Sequence, residues 1–309
     1  TSQKNSFGRT LLSASQHNLP ALGYIVSYGA LSKALEEAVN QSPKIKITYE
    51  FEVSAIKNEK DRSILYGGNK DLPIEAALLV LADGGKNTTA LIEGLKKKET
   101  SYNHTALVTK VTSEIPPNKI AYERFTSMGP IALLPNGPKE FSLVWTGKDE
   151  DIQALAKSPK KLFLEKLHEH FGDRVGKFLD SDNFITFPLK KIILEEFPKN
   201  RMVVIGNSAQ TMHPVAGQGF NTGIRDAYDL SKLINESEPS QVGSECFINQ
   251  YYTLRKSETK KTLFFTDSLV NIFSNDLVGL SLTRGISLSL LDNFKPIKNF
   301  LIDKMSFGK

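Results

Sequence analysis

One stretch decides the fold: Arg201-Met202-Val203-Val204-Ile205-Gly206-Asn207-Ser208-Ala209-Gln210-Thr211-Met212-His213-Pro214-Val215-Ala216-Gly217-Gln218-Gly219-Phe220-Asn221-Thr222-Gly223. A short apolar strand at 201–206 leads through a loop with a proline and two glycines into a helix that begins near Asn221. A strand that runs into a helix N-terminus is typical of an α/β sheet, which binds cofactors at the carboxyl ends of its strands. The stretch therefore predicts an α/β fold with a ligand site in this loop.

The residues of the loop suit a flat, partly anionic ligand. The first turn of a helix offers unpaired N–H groups and the positive end of the helix dipole. Gly217 and Gly219 let the backbone approach a ligand, and Pro214 fixes the loop before them. An isoalloxazine ring, which gains negative charge on reduction, fits this arrangement. The alternative is a tight connection only, because Gly217-x-Gly219-x-x-x-Gly223 is not the dinucleotide fingerprint.

The rest of the chain predicts an α/β part, an antiparallel insert and a return to α/β. Hydrophobic periodicity predicts the following elements before the insert: a helix at 31–39, an alternating strand at 45–53, a hairpin at 58–71 and a strand buried on both faces at 76–82. Closely spaced strands joined by short turns predict the antiparallel sheet at 105–111, 120–125, 131–134 and 141–145. A helix at 160–171 follows, and the chain beyond Asn221 is mostly helical.

Composition excludes several classes of protein. The chain has 309 residues, 40% of them hydrophobic, and no apolar stretch of the roughly 18 to 20 residues that span a bilayer. Thr1 to Gln16 lacks the apolar centre of a secretory signal. Cys246 is the only cysteine, so an intramolecular disulfide is impossible and a reducing cytoplasm is the simplest setting. The net charge of +5 comes from short basic clusters without interleaved aromatic residues, which does not favour nucleic acid as a partner.

The string Gly206-Asn207-x-Ala209-Gln210-Thr211-x-His213-Pro214-x-Ala216-Gly217-Gln218-Gly219-Phe220-Asn221 closely resembles the second FAD motif of the class A flavin-dependent aromatic hydroxylases. Most members of that class have Gly-Asp and then His where this chain has Gly206-Asn207 and Gln210. With Asn and Gln at these positions, the motif resembles that of one branch, the 2-polyprenyl-6-methoxyphenol hydroxylases of ubiquinone biosynthesis. Further segments along nearly the entire chain resemble the same branch: 121–126, 129–135, 142–145 and 266–270.

The resemblance implies a role for each residue of the motif. Asn207 would face the ribityl chain, Pro214 would lie beside the ring, and Gly219, Phe220 and Asn221 would contact the pyrimidine end of the flavin. Asp83-Gly84 matches a second short motif of the class, near the FAD pyrophosphate, although Asn87 and Ala90 replace its usual Ser and Arg. The cofactor-binding residues implied in this way are Asp83, Gly84, Gly206, Asn207, Pro214, Gly217, Gln218, Gly219, Phe220 and Asn221.

The strand, Gly-x-Gly-x-x-Gly turn and helix with which the class begins do not occur in this sequence. We therefore expect an incomplete FAD-binding Rossmann-like domain with an antiparallel-sheet substrate domain and a helical C-terminal tail. The expected parts are 1–100, the remaining FAD-binding domain; 101–198, the substrate domain; 199–240, the second FAD motif; and 241–309, the helical region. We expect a fragment of a longer product that purifies colourless or aggregated; the alternative is a complete short protein that has lost tight FAD binding.

Functionally, the resemblance implies an FAD-dependent monooxygenase that uses NAD(P)H and O2 to hydroxylate a polyprenylated phenol. The flavin carries the chemistry, so no catalytic side chain is nominated, and His213 is a candidate for lining the substrate cavity. Two alternatives stay open: a hydroxylase of a small soluble aromatic, and a non-catalytic truncated remnant or interaction subunit.

Two further features have competing interpretations. His168-Glu169-His170 suggests a metal site, but residues two apart on a helix point to different faces, so an amphipathic helix is favoured and no metal is predicted. The apolar tail from Thr262 through 277–291 predicts core helices. Its alternative is a surface for a membrane or an isoprenoid tail, with Lys295, Lys298, Lys304 and Lys309 facing anionic lipid. The predicted location is accordingly the cytoplasm. The protein could in addition make peripheral contact with the inner membrane or with a ubiquinone-biosynthesis complex.

Overall fold

The computed structural model describes residues 10–68, 73–85, 91–92, 95–126, 128–198 and 200–273, with 296, 298–299 and 302–303. Its helices are α1 (Tyr28–Asn40), α2 (Asp149–Ala156), α3 (Lys160–Phe171), α4 (Gln218–Glu236) and α5 (Glu245–Phe273). Its strands are β1 (Val53–Asn58), β2 (Ser63–Gly67), β3 (Ile74–Ala76), β4 (Leu79–Leu81), β5 (Lys96–Ser113), β6 (Tyr122–Thr126), β7 (Gly129–Pro135), β8 (Glu140–Lys148), β9 (Phe178–Ser181), β10 (Ile185–Glu196), β11 (Met202–Val204) and β12 (Gln210–Thr211).

The strands form three sheets, and the chain divides into two compact units. The sheets have the orders β1-β2-β3, β11-β4 and β12-β10-β5-β8-β7-β6, with β9 also paired to β5. The first unit comprises Thr1–Ile25, Ser101–Leu189 and Asp267–Lys309, and the second comprises Val26–Thr100 and Lys190–Thr266. The unit boundaries fall inside β5 and β10, so both strands run from one unit into the other. None of the helices in the described residues is long and apolar enough to cross a membrane.

The first unit contains the predicted antiparallel sheet. β5, β8, β7 and β6 pair antiparallel in that order, as the four closely spaced strand patterns predict. The helix predicted at 160–171 is confirmed as α3, which buries Phe163, Leu167 and Phe171 at helical spacing. These side chains belong to the same buried cluster as Trp145, whose ring centroid lies 6.1 Å from that of Phe163. The antiparallel sheet and α3 therefore share one apolar core.

The second unit contains the predicted parallel pair. β4 and β11 run parallel, with Met202 opposite Leu79 and Val204 opposite Leu81. Beyond β11 the chain enters a loop and then α4, so the predicted order of strand, loop and helix is confirmed. Val203 of β11 lies in one buried apolar cluster with Leu230 of α4 and Phe247 of α5. The helix predicted at 31–39 and the hairpin turn after Asn58 are confirmed as well, by α1 and by β1 pairing with β2.

Three sequence predictions for this unit are wrong in detail. Residues 45–52 form no strand, and β1 begins only at Val53. The carbonyl oxygen of Glu52 accepts one hydrogen bond, from the N–H of Gly68 at 3.0 Å, but no strand in the described residues pairs with 45–51, and a strand needs such a partner. The strand predicted at 76–82 is divided between β3 and β4. It is not buried on both faces, because Val80 is 38% exposed.

The third correction concerns the helix that follows the loop. α4 begins at Gln218, three residues before the predicted start near Asn221. Gly217, with φ of 60°, is left-handed and ends the short helical turn Val215–Gly217, so α4 starts directly after it. Of the predicted ligand glycines, Gly217 thus lies at the N-cap of α4 and Gly219 lies in its first turn. In the C-terminal tail, 277–291, Lys295, Lys304 and Lys309 lie outside the described residues, whereas Lys298 is described and buried.

Candidate functional site

Two loops of the second unit meet where β4 and β11 end. Asp83-Gly84-Gly85 follows β4 and Gly206-Asn207-Ser208 follows β11, and parallel strands bring their carboxyl ends to one edge. The Ser208 hydroxyl donates a hydrogen bond of 2.6 Å to Oδ1 of Asp83. The backbone N–H of Gly85 donates to the same oxygen at 3.0 Å. The two predicted FAD motifs are therefore joined directly through a carboxylate.

Gly85 is needed for this close approach. A Cβ on Gly85 would lie 2.7 Å from the carbonyl oxygen of Asn207, and its φ of 83° is in the left-handed region. Gly84 has a similar φ of 78°, but nothing in the described residues lies within 4 Å of its Cβ position. Sequence reasoning selected Asp83 and Gly84 but missed Gly85 and Ser208. The paired glycines directly after a strand were the available signal.

Asp226 on α4, like Asp83, holds part of the loop between β11 and α4 through its carboxylate. It is only 2% exposed, and its carboxylate accepts three hydrogen bonds. Oδ2 accepts from the backbone N–H of Gly206 at 2.9 Å and from the Gln210 side chain at 2.6 Å. Oδ1 accepts from Nε of Arg255 on α5 at 2.7 Å. One buried carboxylate thus connects the first residue of the motif, the strand β12 and two helices.

The charge of Asp226 is balanced by a buried cation. Burial raises the pKa of Asp226, and Arg255 opposes that rise by favouring the carboxylate. Asp226 in turn helps to raise the pKa of Arg255, whose guanidinium also contacts Asp229 at 2.6 Å and Glu258. Sequence reasoning missed Asp226 and Arg255. A signal existed for Asp226, because it follows Thr222 and precedes Leu230 on the buried face of α4.

The N-cap and first turn of α4 contain five of the ten predicted cofactor-binding residues. Gly217 is its N-cap residue, and no side chain makes a cap hydrogen bond there. Nothing in the described part of the chain lies within 4 Å of a Cβ placed on Gly217 or Gly219. The Gln218 side chain is buried, whereas Phe220 is 60% exposed and Asn221 is exposed as well. The glycines and the two exposed side chains therefore lie together at one helix end.

The remaining predicted residues lie in the loop between β11 and α4. The Asn207 side chain is exposed beside the Asp83 turn, and Pro214 is half-buried. The carbonyl oxygen of Pro214 accepts a hydrogen bond from the N–H of Gly217 at 3.0 Å. His213 is fully buried, and its Nδ1 accepts from the N–H of Val215 at 3.2 Å. This hydrogen bond makes His213 a residue that shapes the loop; its contact with a substrate stays a prediction.

The arrangement fits the isoalloxazine end of FAD. A flat ring needs backbone without side chains, and the positions of a Cβ on Gly217 and Gly219 are open. The partial positive charge at the start of α4 favours the negative pole of such a ring. The bonds of Asp226 to Gly206 and Gln210 hold the loop from behind.

The histidine pair of α3 belongs to the first unit and has a different environment. Nε2 of His168 lies 3.5 Å from Asp173, and the ring of His170 meets the ring of Trp145 edge-on at 5.1 Å. The described residues include no group of three or more His, Cys, Asp or Glu side chains arranged to hold a metal ion.

Comparison with known proteins identifies the family. The model of the FAD binding domain family matches residues 10–265. The ubiquinone hydroxylase UbiL of Rhodospirillum rubrum is 27% identical over 91% of this chain and 66% of its own length. The 3-demethoxyubiquinol 3-hydroxylase of Escherichia coli is 26% identical over 92% of this chain and 73% of its own. The chain thus spans about two thirds of the length of these curated relatives.

A solved structure shows the same fold. A variant of HpxO from Klebsiella pneumoniae, complexed with FAD, superposes with a TM-score of 0.74 at 14% identity, covering 98% of this chain and 81% of that one. The resemblance to the class A hydroxylases of the ubiquinone branch is confirmed, and with it the α/β fold with an antiparallel sheet. The chain belongs to the FAD binding domain family of flavin monooxygenases, in which FAD is the cofactor and NAD(P)H the typical co-substrate.

Proposed function

We propose that this member of the FAD binding domain family hydroxylates the ring of a polyprenylated phenol in ubiquinone biosynthesis, using NAD(P)H and O2. The observation that carries the proposal is the first turn of α4, where Gly217 and Gly219 leave open space beside a helix N-terminus. The ubiquinone hydroxylases among the relatives support the choice of substrate class.

The residues that would hold the cofactor have separate tasks. The backbone at Gly217, Gln218 and Gly219 would receive the pyrimidine end of the ring, with Phe220 and Asn221 beside it. When bound, FAD would supply the redox chemistry, in which NAD(P)H is oxidised, one atom of O2 enters the phenol ring and the other leaves as water. Proteins of this kind supply orientation, electrostatics and a site that excludes competing reactions.

The loops on the other side would hold the rest of the cofactor. Gly206 lets the chain turn so that the Asn207 carboxamide, which is exposed, can face the ribityl chain. Pro214 would border the ring, and the turn at Asp83 and Gly84 would lie near the pyrophosphate. Because Oδ1 of Asp83 already accepts from Ser208 and Gly85, we assign Asp83 mainly to holding this turn in place.

The substrate class also bears on location. A polyprenyl tail partitions into a bilayer, so we propose a cytoplasmic protein with peripheral contact to the inner membrane or to other proteins of the same biosynthesis. The net charge of +5 favours an anionic lipid surface.

The test is a hydroxylation assay with isotope-labelled dioxygen. The chain is supplied with FAD, NADH or NADPH and a phenol that carries a short prenyl tail, and the product is examined by mass spectrometry for one labelled oxygen. The matched substrate is the same phenol without the tail. Labelled product from the prenylated phenol alone supports the proposal, whereas preference for the untailed phenol favours a hydroxylase of small aromatics.

The assay must also distinguish an inactive protein from an incomplete one. The codons upstream of Thr1 are therefore read, and any in-frame extension is expressed and assayed in parallel. Absence of labelled product from every form, with FAD bound, would reject the proposed activity and favour a non-catalytic role.

A further inference from the structure

The strongest unassigned feature of the second unit is the position of the Asp226 carboxylate. Its two oxygens are shared among three donors: Gly206 and Gln210 on Oδ2, and Arg255 on Oδ1. Gly206 begins the proposed flavin loop, and Gln210 belongs to β12 within the same loop. Asp226 itself lies on α4, whose first turn ends the loop. The carboxylate therefore connects three points of the segment 206–226.

The groups around Asp226 hold its carboxyl group in one orientation. Asp226 and Arg255 are both buried, and a buried carboxylate is costly unless a cation and hydrogen bonds compensate it. Asp229 and Glu258 approach the same guanidinium, and Tyr251 donates from its hydroxyl to the backbone oxygen of Asp226 at 3.4 Å. Because Arg255 holds Oδ1, Oδ2 is turned toward the loop.

We propose that Asp226 is the positioning residue of the flavin loop: anchored by Arg255, it fixes Gly206 and Gln210 so that the backbone at 206–221 is preformed for the isoalloxazine ring. This deepens the proposed function and rests on it for the identity of the ligand. Asp226 would touch neither flavin nor substrate, and would act through the backbone of the loop.

The substitution Asp226→Asn tests this with little change of shape. A carboxamide offers one acceptor oxygen, whereas the three donors occupy both oxygens of the carboxylate. The single oxygen should remain with the charged guanidinium, so the NH2 group would face the N–H of Gly206 and the amide of Gln210. The loop side of the network should therefore be lost. Since a hydrogen bond to a charged group changes an equilibrium constant about ten- to hundredfold, the effect is measurable.

Asp229→Asn is the matched control. Asp229 lies on the same helix and contacts the same guanidinium at 2.6 Å, but within the described residues it makes no hydrogen bond to the flavin loop. Both variants thus weaken the ion pairs of Arg255, and only Asp226→Asn releases Gly206 and Gln210.

Two measurements are made on each variant: hydrogen exchange of the Gly206 amide without flavin, and FAD affinity by quenching of flavin fluorescence. For Asp226→Asn we expect Gly206 exchange to accelerate about tenfold or more and the Kd for FAD to rise about tenfold to hundredfold. For Asp229→Asn both should stay within about threefold of the parent. Equal Gly206 exchange in the two variants would overturn the proposal.

The two readouts separate this proposal from the proposed function. If the exchange contrast appears but the parent chain binds no FAD, positioning by Asp226 stands and the choice of ligand fails. If Asp226→Asn does not fold, Gln210→Leu replaces it, because that change keeps the pair of Asp226 with Arg255 intact. We then expect faster exchange at 206–211 and a Kd for FAD raised about threefold to tenfold; no change in exchange or Kd would overturn the proposal.

Discussion

Gly84 and Gly85 are neighbouring glycines with nearly the same backbone and different surroundings. Their φ angles are 78° and 83°, so an alanine at either position meets about the same strain, roughly 1 to 2 kcal/mol. Within the described residues, Gly85 but not Gly84 adds a steric conflict, because the Cβ of Gly85 would lie 2.7 Å from the carbonyl oxygen of Asn207. The difference between the two variants therefore isolates the contact between the Asp83 and Asn207 turns.

We predict that Gly85→Ala lowers the free energy of unfolding by about 1 to 3 kcal/mol more than Gly84→Ala does. Urea denaturation of both variants, followed by far-ultraviolet circular dichroism, measures the difference. Equal losses would mean that the two turns do not meet as closely as described.

His170 makes the stability of the first unit depend on pH. Burial lowers the pKa of His170, and the nearby guanidinium of Arg124 lowers it further. In the unfolded chain the imidazole titrates near its ordinary pKa of about 6.5. Below that pH the unfolded state takes up a proton that the folded state resists, so the free energy of unfolding falls as the pH drops.

We predict that stability decreases from pH 7 toward pH 5 and that His170→Gln reduces this slope, although the lost ring contact lowers stability at both pH values. Trp145 is the only tryptophan and lies 5.1 Å from the His170 ring, so its fluorescence follows the unfolding of this unit. The pKa of His104 is also lowered by burial, so His104 contributes to the slope in the same direction. A slope identical in the parent and the variant would contradict this assignment.

At the scale of elements, α5 holds the strand that leads into the site. The N–H of Val204 in β11 donates to the hydroxyl of Tyr252 at 3.0 Å, and both groups are buried. The neighbouring Tyr251 donates to the carbonyl oxygen of Asp226 at 3.4 Å, near the limit of hydrogen-bond distance. The two tyrosines of one helix thus make contacts of unequal strength.

Tyr252→Phe should cost about 1 to 3 kcal/mol, because it leaves the buried N–H of Val204 without its acceptor. Tyr251→Phe should cost less than about 1 kcal/mol. Thermal denaturation of the two variants side by side makes the comparison, and a larger loss for Tyr251→Phe would contradict this description of β11.

Helices and strands were predictable from the sequence where the interactions that form them are local in the chain. The helix α3 has its predicted bounds because Phe163, Leu167 and Phe171 repeat at helical spacing and need only one apolar surface. The segment 45–53 alternates well enough for a strand, but pairing depends on a neighbour that periodicity does not reveal. Burial likewise depends on which segments pack against a strand, which periodicity does not reveal, so the predicted burial of Val80 was wrong.

At the scale of the whole molecule, the sequence suggests the loop 206–221 as a ligand site because its glycines and helix end are contiguous, and that assignment stays a prediction. The residues that support it were not predictable, since Ser208 reaches Asp83 across 125 positions and Arg255 reaches Asp226 across 29. Such contacts depend on how helices and strands pack. The division into 1–100, 101–198, 199–240 and 241–309 stays a prediction, as do the contacts of the ten cofactor residues with FAD.

The central claim is that the first turn of α4 receives the flavin ring, and Gly219→Ala tests it most directly. An alanine favours a helix over glycine by up to about 1 kcal/mol, and nothing in the described residues lies within 4 Å of the new Cβ. The protein should therefore become slightly more stable, whereas a ring approaching the backbone at this point would collide with the methyl group. We predict that the melting temperature without flavin rises or stays the same while the Kd for added FAD increases about tenfold or more. An unchanged Kd for FAD in Gly219→Ala would contradict the account.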